Sequence, residues 1–163
     1  MKHIMGSASR SALTNVAEGD VQPNAVDLRL GKVYKIKDAV FEVSNDYKKH
    51  RGSEEIQPDA DGYYNLEVGS YAVVMENIIH VGADEAGWVI TRSTLNRNGL
   101  FLTSGLYDTG YHGVMAGVLH VGIGPARIKQ GTRIGPYLSF DAEALHHYDG
   151  DYGVGKAHDQ KYA

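Results

Sequence analysis

The densest polar run in the chain is Thr91-Arg92-Ser93-Thr94-Leu95-Asn96-Arg97-Asn98-Gly99, closely followed by Gly105-Leu106-Tyr107-Asp108-Thr109-Gly110-Tyr111-His112-Gly113. An arginine beside two hydroxyl residues at the end of a strand offers positive charge, hydroxyl donors and the free N–H groups of a helical turn. Those are the groups a polyphosphate requires. The same letters also serve to cap a helical turn, and the run alone leaves both readings open. In the second run Asp108 stands among turn glycines, close to Tyr111. A hairpin there presents a carboxylate beside a ring able to stack on a sugar or a base, an arrangement suited to general-base chemistry. Asp-Thr-Gly is equally a common turn, so this reading also has a plain structural alternative.

Other chemistries are excluded by the residues themselves. The 163-residue chain has no Cys, which removes thiol redox chemistry, a cysteine nucleophile, a Cys-ligated metal and the zinc mechanism of nucleobase deaminases. There is no Walker lysine loop, no G-x-S-x-G elbow and no H-E-x-x-H pair. His146 and His147 beside Asp149 and Asp151 invite a metal reading, but adjacent side chains on an extended segment point to opposite sides. Solvated surface histidines are the better reading. A net charge of -4 argues against coating nucleic acid or an anionic membrane. No apolar run approaches the roughly 20 residues that span a bilayer, and Met1 to Arg10 lacks the core of a signal peptide. A soluble cytoplasmic protein is expected, or one of the host cytoplasm if the chain is viral.

The elements that must carry these runs are mostly strands. Gly is 20 of 163 residues and Tyr is 11, whereas helical spacing of Ala, Leu, Glu and Lys is rare. β-branched and aromatic runs at 33–43, 63–68, 71–81, 88–91, 114–123 and 133–140 predict short strands. Glycine-rich and polar breakers separate them, which favours an all-β sandwich, distorted β-barrel or jelly roll over a layered α/β fold. One or two short helices are expected, at Ser9 to Glu18 and near Ser93 to Arg97. Residues 1–148 are expected to form one domain, and 149–163, with little to bury, a mobile C-terminal arm.

The two polar runs together resemble the homotrimeric deoxyuridine triphosphatase (dUTPase) and dCTP deaminase superfamily, and the resemblance extends in order along most of the chain. Val21 to Gly31, with Asp27-Leu28-Arg29-Leu30-Gly31 after Pro23, is similar to the first family motif in its deaminase-like wording. Arg92-Ser93-Thr94-Leu95 resembles the second, Gly105 to Gly113 the third with Tyr107 where Ile is usual, and Gly131-Thr132-Arg133-Ile134 the fourth. The resemblance implies a dUTPase-like β-clip fold. In the deaminase branch a catalytic Glu lies five residues beyond the closing glycine of the third motif. Here that position is Val118, which carries no proton, so the dUTPase branch is favoured.

That branch implies hydrolysis of dUTP to dUMP and pyrophosphate, with Asp108 activating the water that attacks the α-phosphorus. It implies Ser93 and Thr94 on the phosphates, Arg92 supplying charge or bracing its loop, and Arg133 among the substrate-binding residues. It implies Gly105, Leu106 and Tyr107 at the base, Leu106 and Tyr107 through backbone, and Tyr111 stacked on the deoxyribose. Mg2+ is implied as the cofactor, held by the triphosphate and by waters, one of them bonded to Asp27. The fifth motif is not plainly present; in Asp151-Tyr152-Gly153-Val154-Gly155-Lys156, Tyr152 would replace the stacking Phe, Lys156 would reach the γ-phosphate and His147 would take the place of the Arg. A homotrimer with shared sites follows from the resemblance, with Gly117 and Gly122 either lining a threefold axis or buried in the monomer's own core. Two alternatives stand beside this reading: a dCTP deaminase, mono- or bifunctional, and a nucleotide-binding regulator with weak catalysis, suggested by the altered fourth and fifth motifs.

Overall fold

A computed structural model describes residues 1–157. In chain order the strands are β1 (Ala12–Leu13), β2 (Val21–Gln22), β3 (Ala25–Ile36), β4 (Glu42–Val43), β5 (Lys48–Lys49), β6 (Ser53–Ile56) and β7 (Tyr63–Leu66). They continue with β8 (Gly69–His80), β9 (Glu85–Val89), β10 (Leu100–Thr103), β11 (His112–Val121), β12 (Ala126–Lys129) and β13 (Arg133–Asp141). A single helical turn, α1 (Ser93–Asn96), and a 3-10 turn at Glu18–Asp20 are the described helical pieces. The all-β expectation holds, and each of the six expected strands has a counterpart. The expected 33–43 strand begins earlier, at Ala25, and stops at Ile36. Residues 37–52 leave the sheet as an exposed excursion that carries the small β4–β5 hairpin.

Nine strands form one sheet along the path β10-β11-β8-β3-β13-β9, with β1 on β8 and both β2 and β6 on β3. All its pairings are antiparallel. A bridge from Gly87 in β9 to Tyr107, beyond β10, joins the two ends of the path and nearly closes the sheet into a barrel. Inside lie fully buried Leu28, Leu30, Ile79, Met115, Leu119 and Tyr137. The long strands β3 and β8 are buried over much of their length, although β3 interleaves Asp27, Arg29, Lys32 and Lys35 with its apolar residues.

The expected helix at Ser9 to Glu18 does not form, because a buried carboxylate organises that segment instead. Glu85 is fully buried and accepts hydrogen bonds from the Ser9 hydroxyl (3.0 Å), the Arg10 N–H (2.8 Å), the Ser11 N–H (3.0 Å) and the Ser11 hydroxyl (2.6 Å). These bonds hold Ser9 to Ser11 against the carboxylate, and Ala12 and Leu13 continue from them as a strand beside β8. Within the chain, Gly117 and Gly122 both lie at close backbone approaches. A Cβ at Gly117 would run into the Thr103 carbonyl, and one at Gly122 would lie 2.9 Å from the Gly99 carbonyl oxygen.

Candidate active site

The turn that carries Asp108 is pinned on both sides. Tyr107 exchanges both main-chain hydrogen bonds with Gly87, its N–H donating at 2.8 Å and its carbonyl accepting at 2.9 Å. The Thr109 hydroxyl, buried, donates to the Glu85 carbonyl at 2.7 Å. Gly110, at φ +82, closes the bend, and the Tyr111 N–H donates to the Asp108 carbonyl at 3.0 Å. Between these fixed neighbours the Asp108 residue is exposed, and it lines a cavity of about 540 Å³ with Glu143, His146, Tyr148 and Asp149.

A second cavity, of about 350 Å³, adjoins the first across Leu106 and Tyr148. Its walls include Gly105, Tyr107, Tyr111, Val118 and Tyr152, and among the described residues that line it none is an acid, a His, a Lys or an Arg. The rings pack in series, Tyr107 against Tyr111 at 5.4 Å and Tyr111 edge-on against Tyr148 at 5.3 Å. Their hydroxyls cap the free edge of β11. Tyr111 donates to the Val114 carbonyl at 2.8 Å, while Tyr107 donates to the Ala116 carbonyl at 2.9 Å and accepts from the Ala116 N–H at 3.0 Å. Burial raises the Tyr107 phenol well above its ordinary range, so it stays protonated. Both main-chain groups of Tyr107, expected at a base, bond to Gly87 within the chain.

Asp27, Arg92 and Arg133 meet elsewhere on the chain, in a cluster that joins the first, second and fourth motifs. Arg92 Nε lies 3.1 Å and Arg133 Nη1 3.7 Å from Asp27 Oδ2, and Arg92 Nη1 also donates to the Arg133 carbonyl at 3.1 Å. Burial pushes the Asp27 carboxyl above the usual carboxylate range, with Arg92 and then Arg133 opposing that rise. Ser93 and Thr94 are exposed at the start of α1. None of Asp27, Arg92, Ser93, Thr94 and Arg133 lines either cavity. Within one chain these five candidates thus line neither the Asp108 cavity nor the tyrosine pocket. Gly135, just past the fourth-motif residues, is required by local packing: a Cβ there would strike Leu102 and approach the Ile90 carbonyl oxygen to 2.8 Å.

No three His, Asp or Glu side chains cluster in a metal-holding arrangement among the described residues. Asp27, expected to hold the ion through water, is almost wholly buried and has one carboxylate oxygen shared by two guanidiniums.

The arm from 149 to 157 folds back over its own chain, and 158–163 lie outside the described residues. Tyr152 and Gly153 line the apolar cavity, and the Val154 N–H donates to the His112 carbonyl at 2.8 Å. His147 packs against Gly110, where a Cβ would come within 2.9 Å of its Nδ1. Lys156 pairs with Asp149 at 3.6 Å, on the arm itself. Tyr148, Thr109 and Glu85 escaped the sequence reading. Each acts through a partner distant in the chain, and only the run of tyrosines around the Asp108 turn hinted at the first.

The family model for dCTP deaminase-like proteins matches residues 2–138. The chain is 32% identical over 112 residues to a deoxyuridine 5'-triphosphate nucleotidohydrolase of Methanocaldococcus jannaschii, an alignment spanning 68% of this chain and 72% of that one. Its fold matches 2'-deoxycytidine 5'-triphosphate deaminase from Agrobacterium tumefaciens with a TM-score of 0.61 at 18% identity, over 79% of this chain and 42% of that one. It also matches a dUTPase from Staphylococcus aureus phage phi11, described with a structural Mg(II) ion, with a TM-score of 0.52 at 9% identity, over 89% and 99% of the two chains.

Proposed function

From a chain that belongs to the dCTP deaminase-like family, we propose the activity of a dUTP diphosphatase, which hydrolyses dUTP to dUMP and pyrophosphate. The observation that carries the reading is a tyrosine-walled pocket, uncharged among the described residues and with Val118 in its lining, that adjoins a cavity lined by the fixed-turn carboxylate Asp108. Deamination at a cytosine ring needs a group in that wall to move protons, and among the described residues the lining holds Val118 at the expected position and no acid, His, Lys or Arg. The nucleotidohydrolase relative at 32% identity supports the same choice.

The pocket suits a nucleoside. Tyr111 and Tyr152 offer ring faces, and Leu106, which makes no main-chain hydrogen bond among the described residues, is left to read a base through its backbone. Asp108 takes a proton from a water whose oxygen attacks the α-phosphorus, as the bond to the bridging oxygen breaks and pyrophosphate leaves. Such displacement needs positioning and neutralised charge rather than a covalent nucleophile. The charge comes from Arg92 and Arg133, with the Ser93 and Thr94 hydroxyls, supplied by a neighbouring copy in a homotrimer. Mg2+ enters as a counterion chelated by the triphosphate, part of the substrate.

A panel of dUTP, dCTP, dTTP and UTP with Mg2+ tests the reading. Pyrophosphate release from dUTP is expected, with no ammonia from dCTP. In Asp108→Asn the rate should fall by about 10² to 10⁴, the usual effect of removing a placed base. Ammonia release would establish the deaminase alternative. Tight dUTP binding without turnover would establish the regulator, and an active Asn variant would take Asp108 out of the mechanism.

A further inference from the structure

The 37–52 excursion reaches the site through Lys48. Its Nζ lies 2.5 Å from Asp151 Oδ2 and 5.6 Å from the centroid of the Tyr152 ring. Asp151 and Tyr152 sit in the middle of the arm, between two main-chain anchors. On one side the Tyr148 N–H donates to the Thr109 carbonyl at 2.8 Å, and on the other the Val154 N–H donates to the His112 carbonyl at 2.8 Å. The second anchor lies on β11 before β10 begins to pair with it at Val118, so the arm takes a stretch of edge that β10 leaves uncovered. Glycines make the seat close: Gly153 has φ +117, and a Cβ on Gly113 would come within 2.7 Å of Gly153 Cα.

We propose that Lys48 is a positioning residue that latches the C-terminal arm onto its own chain and holds Tyr152 as the outer wall of the tyrosine pocket. The ammonium joins the Asp151 carboxylate to the Tyr152 ring face, so one side chain fixes both the charge and the aromatic plane. Lys48 is raised above its ordinary range, chiefly by the hydrogen bond to Asp151, and remains charged across the neutral range. The side chains of the pair are 41% and 54% exposed, so its effect is modest and screened by salt. Only the kinetic half of the idea rests on the proposed dUTP activity.

The test uses the full chain in low salt. Hydrogen exchange of the arm amides 149–157, Val154 included, should quicken about two- to fivefold in Lys48→Met and not in the neighbouring control Lys49→Met. The exchanged pair Lys48→Asp with Asp151→Lys should restore protection, and Lys48→Arg should keep it. In parallel, KM for dUTP should rise about two- to fivefold in Lys48→Met with kcat unchanged. Wild-type exchange rates in Lys48→Met, or failure of the exchanged pair to restore them, would overturn the latch. Faster exchange with an unchanged KM would overturn the positioning role. If the parent chain turns over no nucleotide the activity proposed above fails, and the exchange measurements still decide whether the latch exists.

Discussion

At Glu85 a single side chain sets the path of the N-terminal segment and steadies the catalytic candidate. Burial alone would raise its carboxyl, but hydrogen bonds from Ser11, Arg10 and Ser9 outweigh it and bring the group down to about 2. A carboxyl lowered on folding contributes stability that is complete above its unfolded value near 4.5 and is lost as pH falls toward 2. The group's contribution at neutral pH is on the order of 3 kcal/mol. Glu85→Gln is therefore expected to lose stability in urea unfolding at pH 7 by about that amount, and to match the parent more closely near pH 3. An equal difference at both pH values would show that the charge is not what matters. Because the Glu85 carbonyl also accepts from the Thr109 hydroxyl, the same residue steadies the chain next to Asp108.

Between elements, the joint that matters most is Gly87 against Tyr107 and Tyr137. Gly87 closes the barrel through its pair of hydrogen bonds with Tyr107, and a Cβ there would overlap the fully buried Tyr137 ring and hydroxyl. That hydroxyl has no hydrogen-bond partner among the described residues. Gly87→Ala is expected to cost about 1–3 kcal/mol in chemical denaturation, the usual penalty for forcing atoms into a packed core. Tyr137→Phe should cost nothing or stabilise by about 1 kcal/mol, since it removes an unsatisfied buried group, and it should soften the Gly87→Ala penalty. A strongly destabilised Tyr137→Phe would mean that the hydroxyl is satisfied in solution. Six strands were legible from their apolar runs, yet β1 and β6 were not. Such short pieces carry no period of their own, and their extended shape comes from partners on β8 and β3.

The molecule as a whole presents its candidate groups in two sets. Asp108 and the tyrosine pocket lie on one part of the chain, and the Asp27-Arg92-Arg133 cluster with Ser93 lies on another. If neighbouring copies of a trimer complete each site, two inactive variants should rescue one another. Ser93→Ala and Asp108→Asn, each nearly inactive alone, are expected to regain measurable dUTP hydrolysis after unfolding and refolding together, because mixed trimers contain sites with both residues intact. Light scattering should give the mass of three chains. Failure of the mixture to gain activity while a trimer forms would show that one chain supplies the whole site.

The sequence by itself determined the strand-dominated class, the absence of thiol chemistry, the Asp108 turn and the uncharged residue at Val118. Composition, turn glycines and motif letters are local properties, and they survive any rearrangement of distant parts. Only the tertiary structure decided which groups are used up. It committed the Tyr107 backbone to Gly87, closed Asp27 between two arginines, turned Ser9 to Ser11 around Glu85 and brought Lys48 to the arm. Those pairings join residues far apart in the chain. Their energies depend on burial and geometry that no stretch of sequence contains until the barrel closes.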